Sequence, residues 1–249
     1  MRRFYIKTDK AYEFEQEIVV SGEEFNHIVN VLRYNEGDKL IVIDGCGSEY
    51  YSVIEKINKK DLVLKIENIL DSKSETKANV TVFQALVKGD KFELIIQKLT
   101  ELGVKKLVPF SSNFCQVKPN TTRLDRLEKI SIEALKQCGR AKKVEIDGIK
   151  SFNEVMNLLK EYDKVIFAYE NETTSLENKD LLNPKNEPFK NVAIIIGSEG
   201  GFSEEESNKV KNLTNVKCVS LGNRILRAET ASISLTSVVM FLLGEWNKI

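Results

Sequence analysis

Two segments near the C-terminus carry the residues whose types and spacing could do chemistry: IGSEGG at Ile196–Gly201 and LGNRILRAETA at Leu221–Ala231. In the second, Arg224 and Arg227 flank Ile225 and Leu226, and Glu229 and Thr230 follow. Two guanidiniums at the mouth of a pocket suit recognition of phosphate or carboxylate. Backbone groups around Leu221, Gly222 and Leu226 would suit a flat purine, walled in by Ile225 and Leu226. A plainer alternative is that Arg227 and Glu229 form only an ion pair and a helix cap. In the first segment, Gly197, Gly200 and Gly201 permit dihedrals closed to other residues and let a ligand approach the backbone. Ser203 with Glu204–Glu206 reads as the cap and acidic first turn of a helix. No G-K-[ST] follows the glycines and no G-x-G-x-x-G is present. The acidic helix start argues against a nucleotide phosphate, and a tight glycine turn is the alternative reading.

Each segment follows an apolar run that reads as a buried strand, Val192–Ile196 and Val216–Leu221, and each leads into a helix. Strand ends that feed helices are where open α/β sheets bind ligands, so two such loops point to one pocket lined twice. The preceding chain from Val80 alternates strand and helix: VTVFQAL, a helix over Asp90–Leu102, KKLVPF, a helix marked by Leu124 to Cys138, a helix over Phe152–Leu159 and a strand at Lys164–Ala168. This alternation predicts a mostly parallel sheet covered on both faces. The last helix, Glu229–Glu245, is apolar nearly all round and must be buried on several sides, in a core or at a subunit interface. Residues 1–70 differ. RRFYI, EIVV, KLIVI, EYYSVIEKI and DLVLKIENIL are short strand patterns, broken by a helix at Ser21–Arg33 with an S-x-x-E cap (Ser21, Glu24). They predict a small barrel or curled sheet, and the polar stretch Asp71–Asn79 predicts a boundary.

Composition narrows the chemistry further. Lys plus Arg and Asp plus Glu both total 37, so net charge carries no information about partners. Its distribution does: Leu86–Lys143 holds 13 basic against 6 acidic residues, while Met1–Ser72 holds 10 against 14. A basic middle segment is compatible with a phosphate-bearing partner, or with a solvated lysine face. The single histidine, His27, lacks a nucleophile motif and is expected to pack at the edge of its helix. Common His/Cys zinc sites cannot readily be assembled around it, so no metal is expected. The scattered Cys46, Cys115, Cys138 and Cys218 read as reduced thiols of a cytoplasmic protein. Thr230–Gly244 is too short for the roughly 20 residues a membrane span needs.

The motifs KGDKFELIIQKLTELGV, EALKQCGR, IGSEGGFS and LGNRILRAETA, in this order behind an RRFY start and HIVNVLR, resemble the RsmE family of ribosomal RNA methyltransferases over nearly the whole chain. The resemblance implies an α/β protein: an N-terminal PUA-like β-barrel (1–72) for RNA binding, then a SPOUT-type α/β methyltransferase domain (73–249) with a C-terminal trefoil knot. It implies a homodimer that uses S-adenosylmethionine to methylate N3 of a uridine in small-subunit (16S) ribosomal RNA, as free RNA or in the 30S particle. By matching position, Ile196, Gly197, Gly200, Leu221, Gly222, Ile225 and Leu226 would line the cofactor pocket. Arg3, Arg224, Arg227, Glu229 and Thr230 would stand near the methyl-transfer centre, and Lys88, Lys91 and Arg140 would face RNA or the dimer partner. Two positions depart from the family pattern. Ser198 stands where GPEGG is usual, and Ser111, Ser112 and Asn113 stand where an S-E-R run is usual, so a contact made by that arginine is not carried over. The competing readings are an RNA-binding assembly factor without turnover, and a SPOUT relative acting elsewhere, such as a transfer RNA ribose; the barrel-first order and LGNRILRAETA argue against the second.

Overall fold

The computed structural model describes residues 1–8, 10–119 and 122–247. The chain divides into two compact units, Met1–Glu75 with Ile132–Lys143, and Thr76–Ser131 with Val144–Ile249. The division therefore differs from two contiguous blocks meeting at residue 72. A second short segment, far along the chain, belongs with the first unit.

In the N-terminal unit the five expected strands form: β1 (Arg3–Tyr5), β2 (Glu17–Ser21), then helix α1 (Gly22–Asn26), β3 (Lys39–Ile43), β4 (Ser48–Ile57) and β5 (Asp61–Asp71). They lie in the order β1-β3-β4-β5-β2, with β1 parallel to β3 and the other pairs antiparallel. Among the described residues the hydrogen-bonded ladder runs from β1 to β2 and is not closed between those edges. Alternation along β2 and β5 sends Ile18, Val20, Leu62, Leu64 and Ile66 inward against Phe4, Phe25, Leu40 and Tyr50. His27 packs edge-on against Phe4 with ring centroids 5.9 Å apart, as its place on the helix predicts. The expected cap is absent. Ser21 makes no side-chain capping bond, Gly22 at the helix start has φ +69°, and the Glu24 carboxylate accepts from Lys136 at 2.8 Å instead. The helix is also shorter than expected, passing into a single π turn over His27–Val31. Ile132–Lys143 supplies Leu135, which is buried against Ile41 and Ile43.

The C-terminal unit is built from β6 (Asn79–Ala85), α2 (Gly89–Glu101), β7 (Lys106–Ser111), the start of α3 (Leu124–Cys138), β8 (Glu145–Ile146), β9 (Lys150–Ser151), α4 (Phe152–Leu158), β10 (Lys164–Ala168), β11 (Asn191–Ile196), α5 (Glu204–Lys211), β12 (Val216–Val219) and α6 (Ala228–Leu242). The sheet order is β12-β10-β11-β6-β7-β8, with β9 also on β7, and every pairing is parallel. Parallel strands need covered faces, and the side chains show both. Val80 and Val82 of β6 and Val192, Ile194 and Ile196 of β11 pack with Phe92, Ile95 and Leu99 of α2 and Leu235 and Val239 of α6. Phe83, Ala85, Ala193 and Ile195 point the other way, toward Val155 of α4 and Val210 of α5. The apolar α6 is buried along Ala228, Ser232, Leu235, Thr236, Val239 and Met240, while Val238 and Phe241 remain 44% and 60% exposed. Among the described residues no helix is long and apolar enough to cross a membrane.

Candidate active site

The carboxyl end of β11 feeds the glycine loop. Its turn is closed by Gly201 N–H donating to the Ser198 carbonyl at 3.0 Å and Gly200 N–H to the Ser198 hydroxyl at 3.4 Å. The buried Ser198 thus supplies its own hydroxyl to the turn. Gly200 is required by close approach: a Cβ there would stand 2.8 Å from Cβ of Phe114 and 3.0 Å from its carbonyl oxygen. The loop then enters α5 through a complete capping box between Ser203 and Glu206. From β6, Gln84 donates to the Gly197 carbonyl at 3.3 Å, and its own Oε1 is buried without a partner.

The second loop leaves β12 and reaches α6. Gly222 has φ +95° and open space where a Cβ would stand. Outside helices and strands, no backbone–backbone hydrogen bond among the described residues involves 221–226. The Gly222 N–H donates to the Ser220 hydroxyl at 3.2 Å, and the other backbone groups of this run are open to a ligand. Leu221 packs on the core, whereas Ile225 is 96% exposed. Arg224 and Arg227 are exposed, and among the described residues neither guanidinium has an ion-pair or hydrogen-bond partner. The ion pair between Arg227 and Glu229 does not form. Glu229, in the first turn of α6, has Oε2 buried with no hydrogen-bond partner, 4.0 Å from Lys91 Nζ. Thr230 is exposed on the same turn.

Lys91 joins the two loops. Its ammonium lies 2.8 Å from Glu199 Oε1 in the glycine loop and 4.0 Å from Glu229. The hydrogen bond to Glu199 raises the Lys91 pKa against the opposing effect of burial, and the nearby Arg227 charge also opposes it. Burial disfavours the charged form of Glu199, but the bond from Lys91 and backbone donors outweigh it and hold the carboxyl below the ordinary range. Lys91 is therefore an internal tie, whereas Lys88, at the cap position of α2, is exposed.

The other expected residues lie elsewhere. Arg3 belongs to the N-terminal unit, where its Nε lies 3.2 Å from the buried Glu49 carboxylate. Arg140, expected to face RNA or the dimer partner, is enclosed within the N-terminal unit. It is 4% exposed and pairs with Glu75 at 3.1 Å, and Glu75 also accepts from the Ala141 and Lys142 N–H groups at 2.8 Å. A guanidinium so enclosed has no face left for a phosphate. Sequence reasoning missed Gln84 and Glu199. A lone amide in the apolar strand VTVFQAL and an acid inside the glycine motif were the available signals.

Comparison with known proteins bears on the family rather than on single residues. Residues 74–240 match the RNA methyltransferase domain family and residues 20–67 the RNA methyltransferase PUA domain family. The ribosomal RNA small subunit methyltransferase E of Bacillus subtilis is 31% identical, the alignment covering 97% of this chain and 96% of the relative. The chain belongs to this family. The methyltransferase E of Rickettsia conorii is 32% identical over 99% of this chain and 98% of its own. The solved methyltransferase E of Neisseria gonorrhoeae, bound to S-adenosyl methionine, superposes with a TM-score of 0.87 at 27% identity, covering 99% of this chain and 100% of that one. The fold is accordingly mixed α/β, with an N-terminal PUA-like domain and a methyltransferase domain of the methyltransferase E type.

Proposed function

We propose that this chain methylates N3 of one uridine in small-subunit (16S) ribosomal RNA, with S-adenosylmethionine as the methyl donor. The observation that carries the reading is the junction of β12 and α6: two unpaired arginines beside a buried carboxylate oxygen that no hydrogen bond satisfies. The donor's fit is supported by the open backbone of 223–226, the space at Gly222 and the bare Ile225 side chain. Ile196, Gly197, Gly200, Leu221, Gly222, Ile225 and Leu226 would hold it, and when bound it supplies an electrophilic methyl group on a sulfonium.

The chain's own residues then do two things. Uridine N3 lies on the Watson–Crick edge and carries a proton, so the base must be unpaired and the proton must leave. The Glu229 Oε2 lone pair is free to accept it. Negative charge spreads onto the uracil carbonyl oxygens, where Arg227, or Arg224, offers charge-assisted donors. Positioning supplies much of the rest. Lys88 and the N-terminal PUA-like domain would hold the RNA backbone. The wider reading includes a cytoplasmic homodimer across the exposed Val238 and Phe241 stripe of α6, and a C-terminal segment threaded as a trefoil knot.

The test is methyl transfer from labelled S-adenosylmethionine to 30S subunits and to free RNA from a strain lacking the activity, with mass mapping of the product. One 3-methyluridine is expected. A ribose 2′-O-methyl product, or calorimetry showing no cofactor binding, would overturn the assignment. Arg227→Ala should lower turnover by about 10²–10³-fold while leaving cofactor affinity largely intact.

A further inference from the structure

Phe114 lies outside everything assigned above, yet it sits directly against the glycine loop. Its side chain is half exposed, at 50%. An aromatic ring left wet on a loose loop would mean little, but this loop is pinned on both sides of it. Cys115 N–H donates to the Ser112 carbonyl at 3.1 Å, and Ser112 N–H donates to Cys115 Sγ at 3.3 Å, closing a turn around residues 113 and 114. Asn113 N–H donates to Glu206 Oε1 at 2.9 Å, and its side-chain amide to the Ser203 hydroxyl at 3.1 Å. The loop is thus fastened to the cap of α5. Gly200 completes the seat, because any side chain there would displace the Phe114 backbone.

The result is a half-exposed aromatic side chain whose backbone is held at the edge of the loop that would bind the methyl donor. Proteins that engage unpaired RNA stack bases on accessible aromatic side chains, since every base has a π-face. We propose that Phe114 is a stacking platform for an unpaired base of the RNA strand that carries the reacting uridine. The proposal rests on the methyl-transfer reading. Asn113 is a positioning residue here: it holds the turn and touches no RNA.

The test compares Phe114→Ala, Phe114→Leu and Phe114→Trp for methyl transfer to 30S subunits lacking the modification, alongside cofactor binding by calorimetry and sedimentation. The expected pattern is a loss of about 10–100-fold in kcat/KM for RNA in both the Ala and Leu variants. Leu keeps apolar area but has no flat face, whereas Trp should retain activity. Cofactor affinity should stay within about twofold in all three. The chain has one tryptophan, Trp246, so F114W in a W246F background carries a single reporter, and oligouridylate should quench it. Full activity of F114L, a loss confined to cofactor affinity, or a smaller sedimenting species for F114A would each overturn the proposal. The last of these would assign the ring to contact with a second copy of the chain. If F114A fails to fold, the F114L and F114W pair still decides. Wild-type protein that transfers no methyl group defeats the underlying reading; wild type that works no better than all three variants defeats only this one.

Discussion

Glu229 is the residue whose environment is hardest to explain as structure alone. A buried carboxylate oxygen without a hydrogen bond is costly unless something else completes it. It lies at the start of α6 with Lys91 at 4.0 Å, yet neither satisfies the oxygen. Glu229→Gln should lower kcat by about 10²–10⁴-fold with little change in cofactor affinity, measured by single-turnover methyl transfer and calorimetry. Lys91 and Glu199 make a separate prediction. A carboxyl held below its ordinary pKa contributes above the ordinary carboxylate range and loses that contribution as pH falls through the lowered value. A raised lysine contributes fully below 10.5 and loses its contribution as pH rises through the raised value. The tie between the loops therefore persists across the whole neutral window, and cofactor affinity should be flat there. In Lys91→Met, Glu199 keeps its burial and loses its partner, so affinity should be about two- to fivefold weaker and acquire a pH dependence at the acid end, read by titration calorimetry.

At the scale of elements, the same substitution at two glycines should destabilise the protein for different reasons. Gly200→Ala forces a Cβ onto the Phe114 backbone and should cost about 1–3 kcal/mol of stability, seen as a lower Tm. Gly222→Ala meets no atom within 4 Å but keeps φ +95°. It should cost about 1–2 kcal/mol of strain and, in addition, weaken cofactor binding by intruding on open space. Elements were the most legible level of the sequence. The period-2 strands of residues 1–70 and the alternation after Val80 appear where periodicity places them, because both cores are built from simple apolar faces. Legibility failed where a local rule met a distant partner. Ser21 and Glu24 have capping-box spacing, but a glycine in the left-handed region distorts the helix start and Lys136 takes the acid. Arg140 looked like a surface cation because nothing near it in sequence announces Glu75. Asn113 was visible only as a departure from a family pattern, and its bonds to the α5 cap cross about 90 residues.

For the molecule as a whole, α3 is divided between the two units, its first residues with the parallel sheet and Ile132 onward with the N-terminal strands. Leu135 fills the place beside Ile41 and Ile43, Lys136 takes Glu24, and Arg140 takes Glu75. A fragment of residues 1–75 lacks all three. Burying Leu135 alone is worth about 2–3 kcal/mol, and Glu75 would lose its guanidinium and two backbone donors. The fragment should be much less stable than the same strands in the full chain by denaturant titration, and a synthetic peptide of residues 132–143 should restore part of the difference. Synthesis on the ribosome brings a timing requirement. The first 75 residues emerge with a gap in their packing that closes only after about 70 more have been translated, so this unit must wait, half-finished, while the first strands and helices of the parallel sheet are made.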